Sequence, residues 1–412
     1  MKILLLSQWF DPEPNNMKAL AFAKGLTERG HQVQVLTGLP NYPVGKLYPG
    51  YRFRLYQKEI MENILVHRVL LYPSHDASFI RRSLNYLSFA FLAAITAPWI
   101  IRGKIDIIYV YHPPVTVILP ALILRKIKKA KILLDINDLW PDSIYCAGLL
   151  KNNRLWKLLN TIMNYAYRRA DKINVLSSGI KQLLVQRGIE EKKITTIPVW
   201  CNEELVNQNK NQDFLNRYQL KERFTGIYAG AMGRVQNLSV LLQAAGQLSD
   251  TLPEFTLVLV GSGICLEELK EEAAKAGLRQ VIFIPLVPPK ELSSLLNHAD
   301  FLLIHLKNDP LLEITIPSKI AYYLALGKPV IAGLKGMPAN MIEQSGAGFV
   351  CTPDTPSEMA QAILKLSKMS REERTVLEVN ARSYYREHLS MDTGLTAFLR
   401  VMEEMKEKNS NI

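Results

Sequence analysis

Two cations in this 412-residue chain stand where the backbone itself can hold an anion. Lys319 follows Pro317-Ser318 and opens an apolar-periodic segment that stops at Gly327 and Pro329. Proline suits a helix's first turn and glycine the residue just past its end. Such a helix points free N–H groups and a positive dipole end at its own start, a ready anion site. A lysine there opposes the dipole. It reads either as a solvated surface residue or as a partner for an anion such as a diphosphate. Arg234 follows the turn Gly230-Ala231-Met232-Gly233, which closes a strand-like run. Gly261-Ser262-Gly263 closes another, and permits a close backbone approach or a tight turn. Asn137-Asp138 and His112 are polar residues at the ends of two further strand-like runs, where ligands of open α/β sheets sit. No Asp-x-Asp pair or His/carboxylate cluster occurs at ligand spacing, so no metal is expected.

The elements that must position these residues alternate. Lys2–Ser7 reads as a strand, Gln8–Met17 as a polar loop, Ala19–Arg29 as a helix and His31–Thr37 as the next strand. This is a βαβ unit, whose natural outcome is a parallel sheet. Its loop carries Asn15-Asn16 and no GxGxxG, so the dinucleotide fingerprint is absent. Asp106–Tyr111, Lys131–Ile136, Lys172–Leu176 and Ile194–Pro198 continue the strands, and Asn207–Gln212 reads as a linker. A second α/β pattern runs through Gly226–Gly230, Thr256–Val260, Val281–Ile284, Phe301–Leu306, Val330–Ala332 and Gly348–Val350, with helices to the end of the chain. The length suits two domains. The four cysteines are scattered, which argues against a disulfide framework or a structural zinc site.

Charge is unevenly divided. Residues 1–200 hold 28 Lys and Arg against 13 Asp and Glu, a balance of +15, and the rest of the chain carries −3, which sums to the overall +12. The basic half should therefore meet an anionic surface. Leu84–Ile101 is almost wholly apolar, flanked by Arg81-Arg82 and Arg102 with Lys104, and reads as a buried or interfacial helix, with a membrane span as the alternative. Val115–Leu124 is too short to span and runs into the basic stretch Arg125–Lys131, either a solvated face or a holder of anionic headgroups. Nucleic acid is a poor fit, because the basic residues flank apolar helices and not aromatic stacking positions.

Tyr228–Arg234, Leu259–Gly263, Ala299-Asp300 and Thr315–Ala332, in this order and spacing, resemble the retaining GT-B glycosyltransferases of family 4. Gly38–Pro43, Leu71–Asp76 and Asp138–Asp142 are similar to the subgroup that assembles bacterial surface polysaccharides, including N-acetyl-fucosamine-type transferases of O-antigen and capsule pathways. The resemblance covers nearly the whole chain. It implies two Rossmann-like α/β domains facing across a cleft: an acceptor- and membrane-facing domain over residues 1–200, a nucleotide-sugar domain over 201–375, and helices crossing back over 376–412. It implies no cofactor, only a nucleotide-sugar donor (UDP-linked and N-acetylated) and a polyprenyl-diphosphate-linked glycan as acceptor. The expected place is the cytoplasmic, inner face of the plasma membrane, held peripherally by its anionic surface.

On this reading Arg234, Lys319, Asn137 and Asp138 are the catalytic candidates. Gly230, Gly233, Gly261, Ser262, Gly263, Pro317 and Ser318 would hold the diphosphate, Pro285, Leu286 and Val287 the base, and Tyr322 also stands on the donor side. Asn15, Asn16 and His112 fall on the acceptor or sugar side, His112 reading equally as a structural residue before a turn. Fixed cations and helix N-terminal amides aimed at the leaving diphosphate would supply most of the catalysis. The chain departs from the family pattern where two glutamates eight positions apart are frequent. Ile314 and Tyr322 stand there, with Glu313 one residue off, and Ser239 stands where a lysine often follows the arginine. Those departures motivate one alternative, a weak or inactive glycosyltransferase-like subunit; a second, on the same fold, is a sugar-nucleotide epimerase using Asp138 with Asp142 or Glu313.

Overall fold

The computed structural model describes residues 1–14, 18–74, 79–148, 150–206, 216–218, 220 and 223–407. The proposed linker Asn207–Gln212 and the loop residues Asn15 and Asn16 lie outside them. The chain forms two compact units: Met1–Ser143 with Asn152–Pro198 and Gly394–Ile412, and Ile144–Lys151 with Val199–Thr393.

The first unit is built on an eight-stranded sheet of β1 (Lys2–Leu6), β2 (Gln32–Gly38), β3 (Tyr56–Met61), β4 (Ile64–Val69), β5 (Ile107–His112), β6 (Lys131–Ile136), β7 (Lys172–Val175) and β8 (Ile194–Thr196). The spatial order is β3-β4-β2-β1-β5-β6-β7-β8. All neighbours run parallel except β3 and β4. That hairpin was not legible in the sequence. Its two-residue turn, Glu62-Asn63, has positive φ at both positions, a geometry usually advertised by glycine. Arg68 of β4 is fully buried, paired with Glu59 across the hairpin and donating to the Gly38 carbonyl at 3.2 Å.

The basic stretch Arg125–Lys131 is not one solvated face. Arg125 pairs with Asp171 at 3.0 Å, Lys129 ends the helix Ile118–Lys128 in the left-handed region, and Lys131 begins β6. The apolar segment expected at Leu84–Ile101 is the helix Phe79–Ile100. The loop after β1 is less polar in its surroundings than its composition suggests, because Gln8, Trp9, Phe10 and Glu13 are all buried.

The second unit carries β9 (Phe224–Ala231), β10 (Phe255–Ser262), β11 (Val281–Ile284), β12 (Phe301–His305), β13 (Val330–Gly333) and β14 (Gly348–Cys351). Their order is β11-β10-β9-β12-β13-β14, all parallel. Alternate residues feed two cores. Ile227, Val258, Ile304 and Ala332 pack on one face, and Tyr228, Leu257, Phe301 and Ile331 on the other. This double burial is why the strands read as continuous apolar runs. The helix Arg371–Tyr384 belongs to this unit, and the last helix, Met391–Glu407, is counted with the first unit from Gly394. There Phe398 packs on Phe22 and Tyr109, with centroids 5.4 and 5.7 Å apart.

One buried ion pair ties the first unit's sheet to its first loop. Lys18 Nζ lies 2.8 Å from Asp135 Oδ2, and neither side chain has any exposure. Tyr109 donates to the same carboxylate, as do Asn137 (3.0 Å) and Asn174 (2.7 Å). Burial alone would raise the Asp135 pKa, but Lys18 and these hydrogen bonds outweigh it and hold it below the usual carboxylate range. Removing one member strands a buried charge, which costs about 3–5 kcal/mol. Lys18→Met should therefore lower the unfolding free energy by about that amount, and Lys18→Met with Asp135→Asn by less, as read from urea midpoints.

Candidate active site

In each sheet the strand order reverses once, between β1 and β5 in the first unit and between β9 and β12 in the second. Ligands of open α/β sheets bind outside the carboxyl ends of the strands at such a point. The two edges are built differently.

At the second unit's edge, β9 and β10 end in interlocked glycines. A Cβ on Gly261 would stand 2.0 Å from the Gly230 carbonyl oxygen, and one on Gly263 would stand 2.2 Å from that of Met232. Both Gly230 and Gly261 have φ near +140°, which other residues rarely adopt. Met232 N–H donates to the Ser262 carbonyl at 2.9 Å and Cys265 N–H to that of Met232 at 3.0 Å. The close approach is thus between the two strand ends themselves. Beyond it, Gly233 N–H is held by the Gln236 amide oxygen at 3.0 Å, and this turn displays Arg234 in solvent. Among the described residues Arg234 has no hydrogen bond or ion pair.

Lys319 reaches the same place from another element. The helix Ser318–Leu326 starts at Pro317, has no side-chain cap, and ends at Gly327 in the left-handed region. Pro317 is the residue before the first turn, one position earlier than its sequence suggested. The Lys319 ammonium lies 3.8 Å from the centre of the Tyr228 ring and 3.1 Å from where a Cβ on Gly230 would be. Among the described residues no carboxylate pairs with it, and burial pulls its pKa from 10.5 down to about 7. Tyr228 is fixed in turn by its hydroxyl, which donates to the Ala231 carbonyl at 2.6 Å. Ser318 is exposed beside it.

The other donor-side candidates are spread along this unit. Ser262 is exposed at the end of β10. Pro285, Leu286 and Val287 follow β11, two strands from β9 on the same edge, with Leu286 71% exposed. Tyr322 packs against the core beside Ser293 and Cys201, while its neighbour Tyr323 turns to β9 and accepts no carboxylate's role either: its hydroxyl takes the Ala229 N–H at 3.0 Å. Glu313 is paired with Lys335 at 2.8 Å, and Ser239 donates to Glu272 at 2.6 Å. His305, at the end of β12, is neutral and structural. Its Nδ1 bonds the Gln236 carbonyl at 2.8 Å, its Nε2 accepts from Asp354 N–H at 3.1 Å, and burial lowers its pKa.

At the first unit's edge the signature is buried polar atoms without partners. His112 is 1% exposed, and neither ring nitrogen has a hydrogen-bond partner among the described residues. Burial holds its pKa down at about 4, so the ring is neutral. Gln8 Oε1, beyond β1, and Asn137 Oδ1, beyond β6, are likewise buried and unpartnered. Asp138 is spent on its own turn, where it accepts from Trp140 Nε1 at 3.0 Å, and burial raises its pKa. Trp9 sits at this edge with Tyr42 and Tyr86, centroids 5.6 and 6.1 Å away. Glu13, which the sequence did not single out, is buried beneath. It accepts from the N–H groups of Phe10, Asn41 and Tyr42, and burial lifts its pKa to about 7. Asp135 and Lys18 were also missed, although one aspartate inside the apolar strand Lys131–Ile136 was a visible signal.

Residues 17–200 match the family described as glycosyl transferase 4-like domain, and residues 211–384 match glycosyl transferases group 1. The chain belongs to the group 1 glycosyltransferases. WcaI of Escherichia coli (strain K12), named as a colanic acid biosynthesis glycosyl transferase, is 25% identical over 413 aligned residues, covering 97% of this chain and 99% of WcaI. WbjE of Pseudomonas aeruginosa, named as a glycosyltransferase, is 24% identical over 73% of this chain and 76% of its own. The fold matches that of Anabaena Alr3699/HepE, solved in complex with UDP and glucose, with a TM-score of 0.72, 17% identity, and coverage of 98% and 100%. The expected architecture, two Rossmann-like α/β domains of the GT-B kind, holds for this glycosyltransferase.

The depressed Lys319 pKa has a stability consequence. Between pH 7 and 10.5 the unfolded chain binds a proton at this lysine that the folded chain has lost, so stability rises with pH across that window. Lys319→Met should be more stable than wild type at about pH 6, with the gap closing by about pH 10, in thermal unfolding followed across pH.

Proposed function

We propose that this glycosyltransferase takes a sugar from a nucleoside diphosphate, UDP by preference, and passes it with retention to a polyprenyl-diphosphate-linked glycan of a cell-surface polysaccharide. The observation that carries the reading is the pair of uncompensated cations, Lys319 and Arg234, around the glycine-rich end of β9. A diphosphate supplies the counter-charge that Lys319 lacks, and the uncapped first turn at Ser318 adds N–H donors. As the glycosidic bond breaks, negative charge grows on the diphosphate, and cations fixed beforehand favour that state over the bound donor. Lys319 takes up the task of the lysine that Ser239 does not provide.

Supporting the donor is the Anabaena neighbour's UDP, and supporting the product class is the E. coli relative named for colanic acid biosynthesis. On the acceptor side, the orphaned atoms of His112, Asn137 and Gln8 are suited to sugar hydroxyls, which both donate and accept. The epimerase alternative is weakened because its acid and base candidates are engaged: Asp138 by Trp140, Glu313 by Lys335, and Asp142 by Arg187 at 2.7 Å. Asn137 is retained as a positioning residue, bonded to Asp135.

Binding of UDP-, GDP- and dTDP-linked sugars, followed by turnover with a lipid-linked acceptor, tests the proposal. UDP-sugars should bind and turn over, and an absence of turnover with every donor bound would favour a non-catalytic subunit. Arg234→Ala should lower kcat by about 100- to 1,000-fold with an unchanged melting temperature, since the side chain is exposed and unpaired. Turnover should also survive EDTA, because the charge stabilisation assigned here comes from side-chain cations and amides.

A further inference from the structure

The helix Phe79–Ile100 has two faces with opposite fates. Phe89, Ala90, Ala93 and Ala97 are buried to 2% exposure or less. Asn85, also buried, accepts from Gln8 at 2.6 Å and donates to the Tyr72 carbonyl at 2.7 Å and to Asn41 at 3.1 Å. The opposite face carries Ile80, Leu84, Leu87, Phe91, Ile95 and Trp99, between 48% and 80% exposed. Their spacing of three and four residues makes one continuous stripe, about 29 Å long at 1.5 Å per residue. Apolar surface on that scale marks an interaction site.

We infer that this stripe is a membrane-docking face, on which the helix lies in the plane of an anionic bilayer. The inference concerns where the first unit docks and does not rest on the donor chemistry proposed above. Charge decides the occupant. No Asp or Glu occurs between residues 77 and 105, while Arg81 and Arg82 lie in the first turn of the helix and Arg102 and Lys104 follow it. A second copy docked on this face would bring like charges together, and an anionic lipid surface neutralises them.

The neighbouring helices extend the same character. The helix Phe79–Ile100 packs along Ile118–Lys128, which exposes Leu119 and Ile127. Right-handed crossovers place these helices and Asn153–Arg169 on one side of the sheet. The last of them exposes Leu158, Ile162 and Tyr165 at spacings of four and three. Between the second and third helices a cavity of about 430 Å³ is lined by Arg125, Lys126, Arg168, Arg169, Lys193 and one carboxylate, Asp171. Asp171 is engaged by Arg125 at 3.0 Å, and Lys126 and Arg168 have no ion pair among the described residues, which suits a lipid headgroup phosphate.

By length and composition the helix Ile80–Ile100 is apolar enough to cross a bilayer. Spanning would tear out Asn85 and the buried alanines, so the geometry favours lying flat over crossing. Amphipathic insertion combined with basic charge is what reversible anchoring requires.

Flotation of the full chain with vesicles of phosphatidylcholine alone, and with about a third phosphatidylglycerol, tests this at about 0.1 M and 0.5 M salt. Binding should be at least about tenfold stronger to the anionic vesicles and should weaken with salt. Phe91→Glu and Trp99→Glu should each reduce it about tenfold or more at unchanged melting temperature, since both side chains are exposed. Arg168→Glu should lower anionic binding by about fivefold to thirtyfold, the effect of reversing one charge near the surface. Membrane-induced blue shift of tryptophan fluorescence should be absent in Trp99→Phe. Equal binding to both vesicle types, unchanged binding of the Phe91 and Trp99 variants, resistance to alkaline carbonate, or a dimer in sedimentation that Phe91→Glu dissociates would each overturn the proposal.

Discussion

Both sheets are covered on both faces, so a polar side chain on a strand must find its partner inside the sheet or at the strand's carboxyl end. Asp135 takes the first course and organises the first unit. Four groups converge on this fully buried carboxylate of β6, from β5, β7, the first loop and the residue after β6, and together they fix the register in which those strands meet. Asn174 extends the network, accepting from Ile197 N–H at 2.8 Å while its amide also serves the Ile197 carbonyl. Such a network stabilises only when the buried charge is fully met, and both oxygens of the Asp135 carboxylate accept hydrogen bonds.

The carboxyl ends are where completeness stops. His112, Asn137 and Gln8 leave polar atoms buried and unpaired at the edge where β1 and β5 diverge. Buried polar atoms left unpaired cost stability, and at the carboxyl end of a strand a ligand can supply the missing partner. The second unit's edge is incomplete in charge rather than in hydrogen bonding. Lys319 is tethered against the Tyr228 ring, whose negative face partly replaces the water the ammonium has lost, yet its pKa stays near 7 for want of a carboxylate. A site lacking an anion is primed for one, and its proton balance shifts when the anion arrives.

The glycines show how a single residue type serves two ends. Gly261 and Gly263 are required by the contact of β10 with β9, independently of any ligand, because any side chain would collide with backbone. Beside that contact the Lys319 ammonium, from the helix Ser318–Leu326, comes within 3.1 Å of where a Cβ on Gly230 would stand. Packing and binding therefore impose one constraint on these positions, and a substitution there would confound the two.

By itself the sequence determined the α/β class, the order of nearly all the strands, the helix opened by Pro317 and closed by Gly327, and the two cations worth attention. These are local properties: apolar runs of strand length, stop signals, and glycines at strand ends. Tertiary structure alone decided which cation is uncompensated. Arg234 and Lys319 are separated by more than eighty residues, and only folding brings both to β9 while giving Lys335 to Glu313 and Glu272 to Ser239. It also decided that Asp138, the more visible carboxylate, is held by Trp140, and that Asp135, hidden in an apolar strand, is the hub. Nor could periodicity say which face of the helix Phe79–Ile100 is exposed, since it is apolar on both. The choice rests on one buried asparagine, Asn85, whose three partners lie on three other segments of the chain.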